Sequence, residues 1–168
     1  MTLNLKARVA LLSLVCVTSF SVAARDVGTN KASADTTQQL REFFAGQDKA
    51  NRDGLTTTEL AKRFYTEDAI ITGEGEAAPR RGIKGAVAAL DEWFAYLGPG
   101  GNKGCNFTMQ DGVVSSGQMA AVFVVLSCKP NPPKTDKQET IRQLFVLKRT
   151  PQGWRVAQEM WQAGGFGN

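Results

Sequence analysis

Apolar side chains recur at helical spacing in the first half of this chain and at alternate positions in the second. From Asp35 onward, Leu40, Phe43, Phe44, Gln47 and Asn51 fall on one helical face. Asp35 and Thr36 serve as caps, and Asp53-Gly54 as the break. Thr56-Thr57-Thr58-Glu59 predicts the start of a second, short helix that buries Leu60 and Phe64. Ala69-Ile70-Ile71-Thr72 reads as a first short strand, followed by the loop GEGEAAPRRG. The strongest pattern is a third helix over 83–97. Ile83, Val87, Leu90, Phe94 and Leu97 line it, while Lys84, Asp91 and Glu92 stay outside. After the loop GPGGNKG, strands are predicted near 107–114, 118–128, 138–148 and 154–161. The linker KPNPPKTD carries three prolines, which cannot join a ladder. Helices first and antiparallel strands after define an α+β layout in one domain spanning 35–168, with 25–34 as a loose polar lead-in.

The strand predicted over 138–148 bears most on function. Alternation separates Ile141, Gln143, Phe145 and Leu147 from Arg142, Leu144, Val146 and Lys148. Each face therefore mixes polar with apolar side chains, as a pocket-lining strand does. A guanidinium inside a strand must find partners or water, because it keeps its charge. Facing a cavity, Arg142 would grip an anionic group in bidentate fashion; facing outward, it would sit beside Glu139 or pair with Asp68 or Glu159. Periodicity leaves both open.

Charge and compartment narrow the picture. Lys6 and Arg8, the apolar run VALLSLVCVTSFSV and the small residues Val22-Ala23-Ala24 have the form of an export leader cut after Ala24. Removing those 24 of 168 residues leaves 144, with 18 basic against 16 acidic side chains. So small an excess, with no run of like charge beyond Arg80-Arg81, argues against nucleic acid as a partner, and no integral membrane span is expected after cleavage. A periplasmic or secreted location follows, and with it an oxidising setting for Cys105 and Cys128. A hairpin turning at Ser116-Gly117 pairs residues whose numbers sum to 233, as 105 and 128 do. A disulfide is therefore predicted, with a bulge to relieve the unfavourable parity of that pair.

Several familiar sites are excluded or weakened. The segment DKANRDGLTTTE has the length of a calcium loop, but Ala50 and Arg52 fall where oxygen ligands belong, so it reads as a helix–turn–helix junction. The glycines of 98–104 follow a helix, and no Lys-Ser/Thr pair closes a phosphate loop. The chain has no histidine, which removes a Ser–His–Asp triad and leaves no obvious metal site. No cofactor is expected. For proton transfer there remain Tyr65, Tyr96, Asp68, Glu74, Glu76 and Glu159; Glu74 and Glu76, in a Gly-rich loop, read as solvated. Trp93, Trp154 and Trp161 are candidates for an aromatic pocket or for plain core.

Four segments, taken in order, resemble the SnoaL-like branch of the nuclear transport factor 2-like (NTF2-like) superfamily. They are Tyr65-Thr66-Glu67-Asp68-Ala69-Ile70-Ile71, Arg80-Arg81-Gly82-Ile83, Arg142-Gln143-Leu144-Phe145-Val146 and Gly153-Trp154-Arg155-Val156. The chain is similar in particular to bacterial relatives of the association domain of calcium/calmodulin-dependent kinase II, which share an arginine at the place of Arg142. The resemblance implies a cone of three N-terminal helices over a curved, mixed, mostly antiparallel sheet, a pocket between them, and homodimers through the outer sheet face. It implies Arg142 as a pocket residue, with Gln158 on the same wall. The chain departs from the family where ketosteroid isomerase relatives carry a catalytic Asp, near Gly73. It departs again where many carry His-x-His, here Gln158-Glu159-Met160.

The expected function is an exported protein that binds a polar or anionic small molecule through Arg142, Gln158, Tyr65 and Trp93. The alternatives are an isomerase- or lyase-type enzyme using Tyr65, Asp68 or Glu159, and a non-catalytic dimeric interaction module.

Overall fold

A computed structural model of the chain describes residues 31–129 and 138–166. The predicted leader, the lead-in up to residue 30 and nearly all of the proline-rich linker lie outside the described residues. The cap of the first helix is Ser33, two residues ahead of Asp35. Its Oγ accepts from Thr36 N and caps the first helix, α1 (Ala34–Asp53). Asp35 sits in the first turn instead, where a carboxylate complements the helix dipole. Gly54 ends α1 in the left-handed conformation that glycine adopts without a Cβ clash. Thr56 and Glu59 then form a capping box for α2 (Thr57–Phe64). Asp48, first residue of the discarded calcium loop, accepts a hydrogen bond from Phe107 N and ties α1 to the sheet.

The first strand, β1 (Tyr65–Gly73), begins directly after α2, four residues earlier than its apolar run suggested. A two-residue strand, β2 (Arg80–Arg81), leads into α3 (Gly82–Leu97). After a 3-10 turn at Gly101–Gly104 come β3 (Asn106–Met109), β4 (Val114–Ser115), β5 (Met119–Cys128), β6 (Glu139–Thr150) and β7 (Gly153–Ala163). These form one sheet in the order β2-β1-β7-β6-β5-β3, with β4 also on β5. Among the described strands β1 and β7 run parallel and the other paired strands antiparallel.

The predicted register of 233 holds where β3 meets β5, with Asn106 opposite Ser127, and Cys105 is bonded to Cys128. Nearer the turn the sum is 235, as Val114 opposite Ala121 shows. The strand absorbs two extra residues between Met109 and Val114, which is the bulge that parity required.

The core lies between α1, α2 and the concave sheet face. Phe43, Phe44, Phe64, Phe107 and Phe145 meet there edge-on or tilted, with ring centroids 5.2–6.3 Å apart. Each buried ring of this kind contributes roughly 1.5–3 kcal/mol through lost apolar exposure. Trp154 is part of this region, its indole N–H donating to Gln39 on α1. The third helix differs. Of its predicted stripe only Leu97 is fully buried, while Ile83, Val87, Leu90 and Phe94 stay half-buried. A hollow lies between it and the sheet.

Candidate functional site

The hollow has a volume of about 340 Å³. Leu90, Trp93 and Tyr96 of α3 form one wall, with Trp93 and Tyr96 stacked at 5.3 Å. Phe107, Phe145 and Trp161 of the sheet form the other. Glycine at Gly73 makes part of this surface possible: a Cβ there would stand 1.9 Å from the Trp161 ring.

Among these apolar walls stands a buried polar cluster. Tyr65 donates its O–H to Glu159 Oε2 at 2.5 Å, and Gln143 donates its amide N–H to Glu159 Oε1 at 2.6 Å. All three side chains line the hollow, and Glu159 is only 7% exposed. Burial pushes the Glu159 carboxyl above its ordinary range; the two donated hydrogen bonds pull the other way, and the charge of Glu76 adds to the rise. Burial, followed by the charge of Glu159, pushes the Tyr65 hydroxyl well above its usual value. Tyr65 therefore stays protonated and donating.

The rim is ionic. Arg80 Nε lies 3.0 Å from Glu76 Oε1, and Arg80 Nη2 lies 2.6 Å from Glu92 Oε2. Tyr96 is hydrogen-bonded to Glu139 across the mouth. Several buried polar atoms of the lining have no hydrogen-bond partner among the described residues: Gln47 Oε1, Gln143 Oε1, both Glu76 oxygens, Trp93 Nε1 and Arg80 Nη1. Arg80 supplies an ion pair to one of the Glu76 oxygens. Native interiors leave few such groups, and here several converge on one hollow.

Of the residues predicted from the sequence, the structure brings Tyr65, Trp93 and Glu159 to the hollow and keeps three others out. Arg142 is on the opposite, convex face of β6, bonded to Gln162 Oε1 and to the Gly165 carbonyl. It borders a cleft there with Phe123, Met160 and Phe166. The expectation of a pocket Arg142 is corrected, because Gln143 takes the inward position. Gln158 is also exposed on the convex face. The cause is a bulge: Val146 pairs with Gln158 but Leu147 pairs with Val156, so Ala157 is the extra residue. Trp154 and Val156 point inward before it and Glu159 after it, so inward facing passes from even to odd positions. Asp68 is fully exposed, its carboxyl held below the ordinary range chiefly by a hydrogen bond with the Thr66 side chain.

Glu76, read as solvated, has a side chain only 10% exposed, and Arg80, read only as part of a loop and of a family-like segment, provides the guanidinium of the hollow. The spacing Glu76 to Arg80 was the one available sign of an ion pair, and in a loop it does not say that the pair turns inward. Among the described residues no group of three or more His, Cys, Asp or Glu could hold a metal ion. No described helix is long and apolar enough to cross a membrane.

The sequence matches no family model and no curated protein. Solved structures do share its architecture. An NTF2-like protein of unknown function from Pseudomonas putida superposes with a TM-score of 0.59 at 18% identity, over 80% of this chain and 90% of that one. An NTF2-like protein with a cystatin-like fold from Novosphingobium aromaticivorans gives 0.56 at 18% identity, over 77% and 82%. A ketosteroid isomerase-like protein from Erwinia carotovora gives 0.53 at 13% identity, over 77% and 94%. The chain has the NTF2-like cone fold: three helices and a seven-stranded mixed sheet among the described residues.

Proposed function

We propose that this protein binds a small, largely apolar molecule in the hollow of the cone, with the Tyr65–Glu159–Gln143 cluster fixing its polar end. One observation carries the reading: a buried carboxylate held by two donors inside a hollow of about 340 Å³ with aromatic walls. The predicted leader and the Cys105–Cys128 bond support export to a periplasmic or extracellular setting. Exposed Met119, Phe123 and Met160 on the convex face support a homodimer joined there.

The test is native mass spectrometry of the protein purified from its own host, with and without Ala89→Phe, which fills the hollow from α3. A retained small molecule in wild type that A89F loses is the expected result. Retention unchanged by A89F overturns the reading.

A second reading has its own support. A carboxyl raised by burial beside a tyrosine hydroxyl suits an isomerase- or lyase-type proton carrier, with Glu159 in that role. Turnover of a co-purified ligand that Glu159→Gln abolishes, with binding retained, favours this reading over binding alone.

A further inference from the structure

Resting on the hollow as a binding site, we propose that its guest is an amine: a flat or ring-shaped apolar body carrying a protonated nitrogen. Charge is the first argument. Among the described residues the hollow is lined by Glu76, Glu92, Glu139 and Glu159 against a single cation, Arg80. That guanidinium is already turned to Glu76 and Glu92. Among the described residues only its Nη1 is without a partner, so a carboxylate entering here would meet four carboxyl groups against one cation already paired with two of them.

Hydrogen-bond accounting points the same way. Gln143 is 6% exposed and Gln47 is 4% exposed, and each leaves its carbonyl oxygen unpaired in the hollow. The orientation of Gln143 is fixed, because its N–H is committed to Glu159. Glu76 Oε2 is a third buried acceptor without a donor. Two donors, Arg80 Nη1 and Trp93 Nε1, are also unpaired, but the acceptors outnumber them, and an ammonium or N–H-bearing guest supplies the missing donors.

The walls complete the fit. Trp93, Tyr96, Phe107 and Trp161 present ring surfaces to the same space. Aromatic faces attract cations through their quadrupole and stack on flat apolar bodies. Carboxylates beside ring faces are the chemistry that selects an organic cation over a neutral or anionic isostere.

Isothermal titration calorimetry with three indoles of nearly equal shape tests this: tryptamine, tryptophol and indole-3-propionate, at neutral pH and low salt. Tryptamine should bind at least about tenfold more tightly than tryptophol, with the propionate weakest. Glu76→Gln should remove most of that preference. Equal or tighter binding of tryptophol or the propionate overturns the amine and leaves the hollow as a binding site. Tryptamine binding that A89F does not weaken overturns it too, because the amine then sits elsewhere. If none of the three binds, both the amine and the hollow reading fall. Should E76Q fail to fold, the wild-type ratio of tryptamine to tryptophol affinity still decides, since it needs no variant.

Discussion

Arg142 and Gln143 are neighbours on β6, and they live on opposite sides of the sheet. Gln143 is buried in the hollow, spends its N–H on Glu159 and leaves its carbonyl oxygen waiting. Arg142 is on the convex side, bonded to Gln162 and to the Gly165 backbone of the chain's own tail. The charged residue looked the stronger site candidate, yet the neutral one holds the site. A curved sheet favours this division. Its concave face is shared with helices and excludes water, so an unpaired charge there is costly, whereas the convex face leaves a guanidinium hydrated.

The contrast can be broken most forcefully in the core. Phe145, two residues along the inward face from Gln143, is 1% exposed and packs on Phe44 and Phe107. Phe145→Ala should cost about 3–5 kcal/mol in chemical denaturation, whereas Leu144→Ala on the convex side should cost less than about 1.5 kcal/mol. Equal losses would mean that the convex face is covered as fully as the concave one.

Next in size is the covalent tie between the residue before β3 and the end of β5. Losing the Cys105–Cys128 bond, which spans 23 residues, by Cys128→Ser should lower stability by about 2–4 kcal/mol. A reductant should produce a similar loss in wild type and little further change in the variant. Gly73→Ala, which drives a methyl into the Trp161 ring, should cost about 1–3 kcal/mol and change indole fluorescence. Its effect belongs to the hollow, so ligand retention should fall as well.

A subtler effect separates the faces by pH. The Glu159 carboxyl is raised in the folded state by burial, so its protonated form favours folding. That contribution is complete below the ordinary carboxylate range and is lost as pH rises through the raised value. Glu159→Gln keeps the shape without the charge. It should therefore gain stability relative to wild type as pH climbs above the ordinary carboxylate range, with a flatter profile. Parallel profiles would remove the buried carboxylate from the account. Smallest of all, Arg142→Ala should change stability by no more than about 0.5 kcal/mol and leave any retained small molecule in place. Loss of that molecule would return Arg142 to the site.

Much of the architecture was written locally. The stripe of α1, the capping box of α2, the helix over 83–97 and the α+β order all follow from spacing and turn chemistry within a few residues. The pairing of Cys105 with Cys128 was named from the sequence too, although the turn lies one residue later than expected and two extra residues between Met109 and Val114 restore the sum. Tyr65, Trp93 and Glu159 could be named as candidates from residue type, although nothing nearby in sequence joins Tyr65 to a carboxylate 94 positions away.

What stayed illegible was the side each strand residue faces, and it stayed so for a physical reason. Period-two alternation is symmetric, so it sorts residues into two sets without saying which set is concave. The sign comes from the curvature of the whole sheet and from where α1, α2 and α3 cover it. The extra residue at Ala157 then reverses the parity of β7, turning Glu159 inward and Gln158 out. Such a bulge exists only in relation to a partner strand, which is why the hollow and its charge belong to the assembled fold.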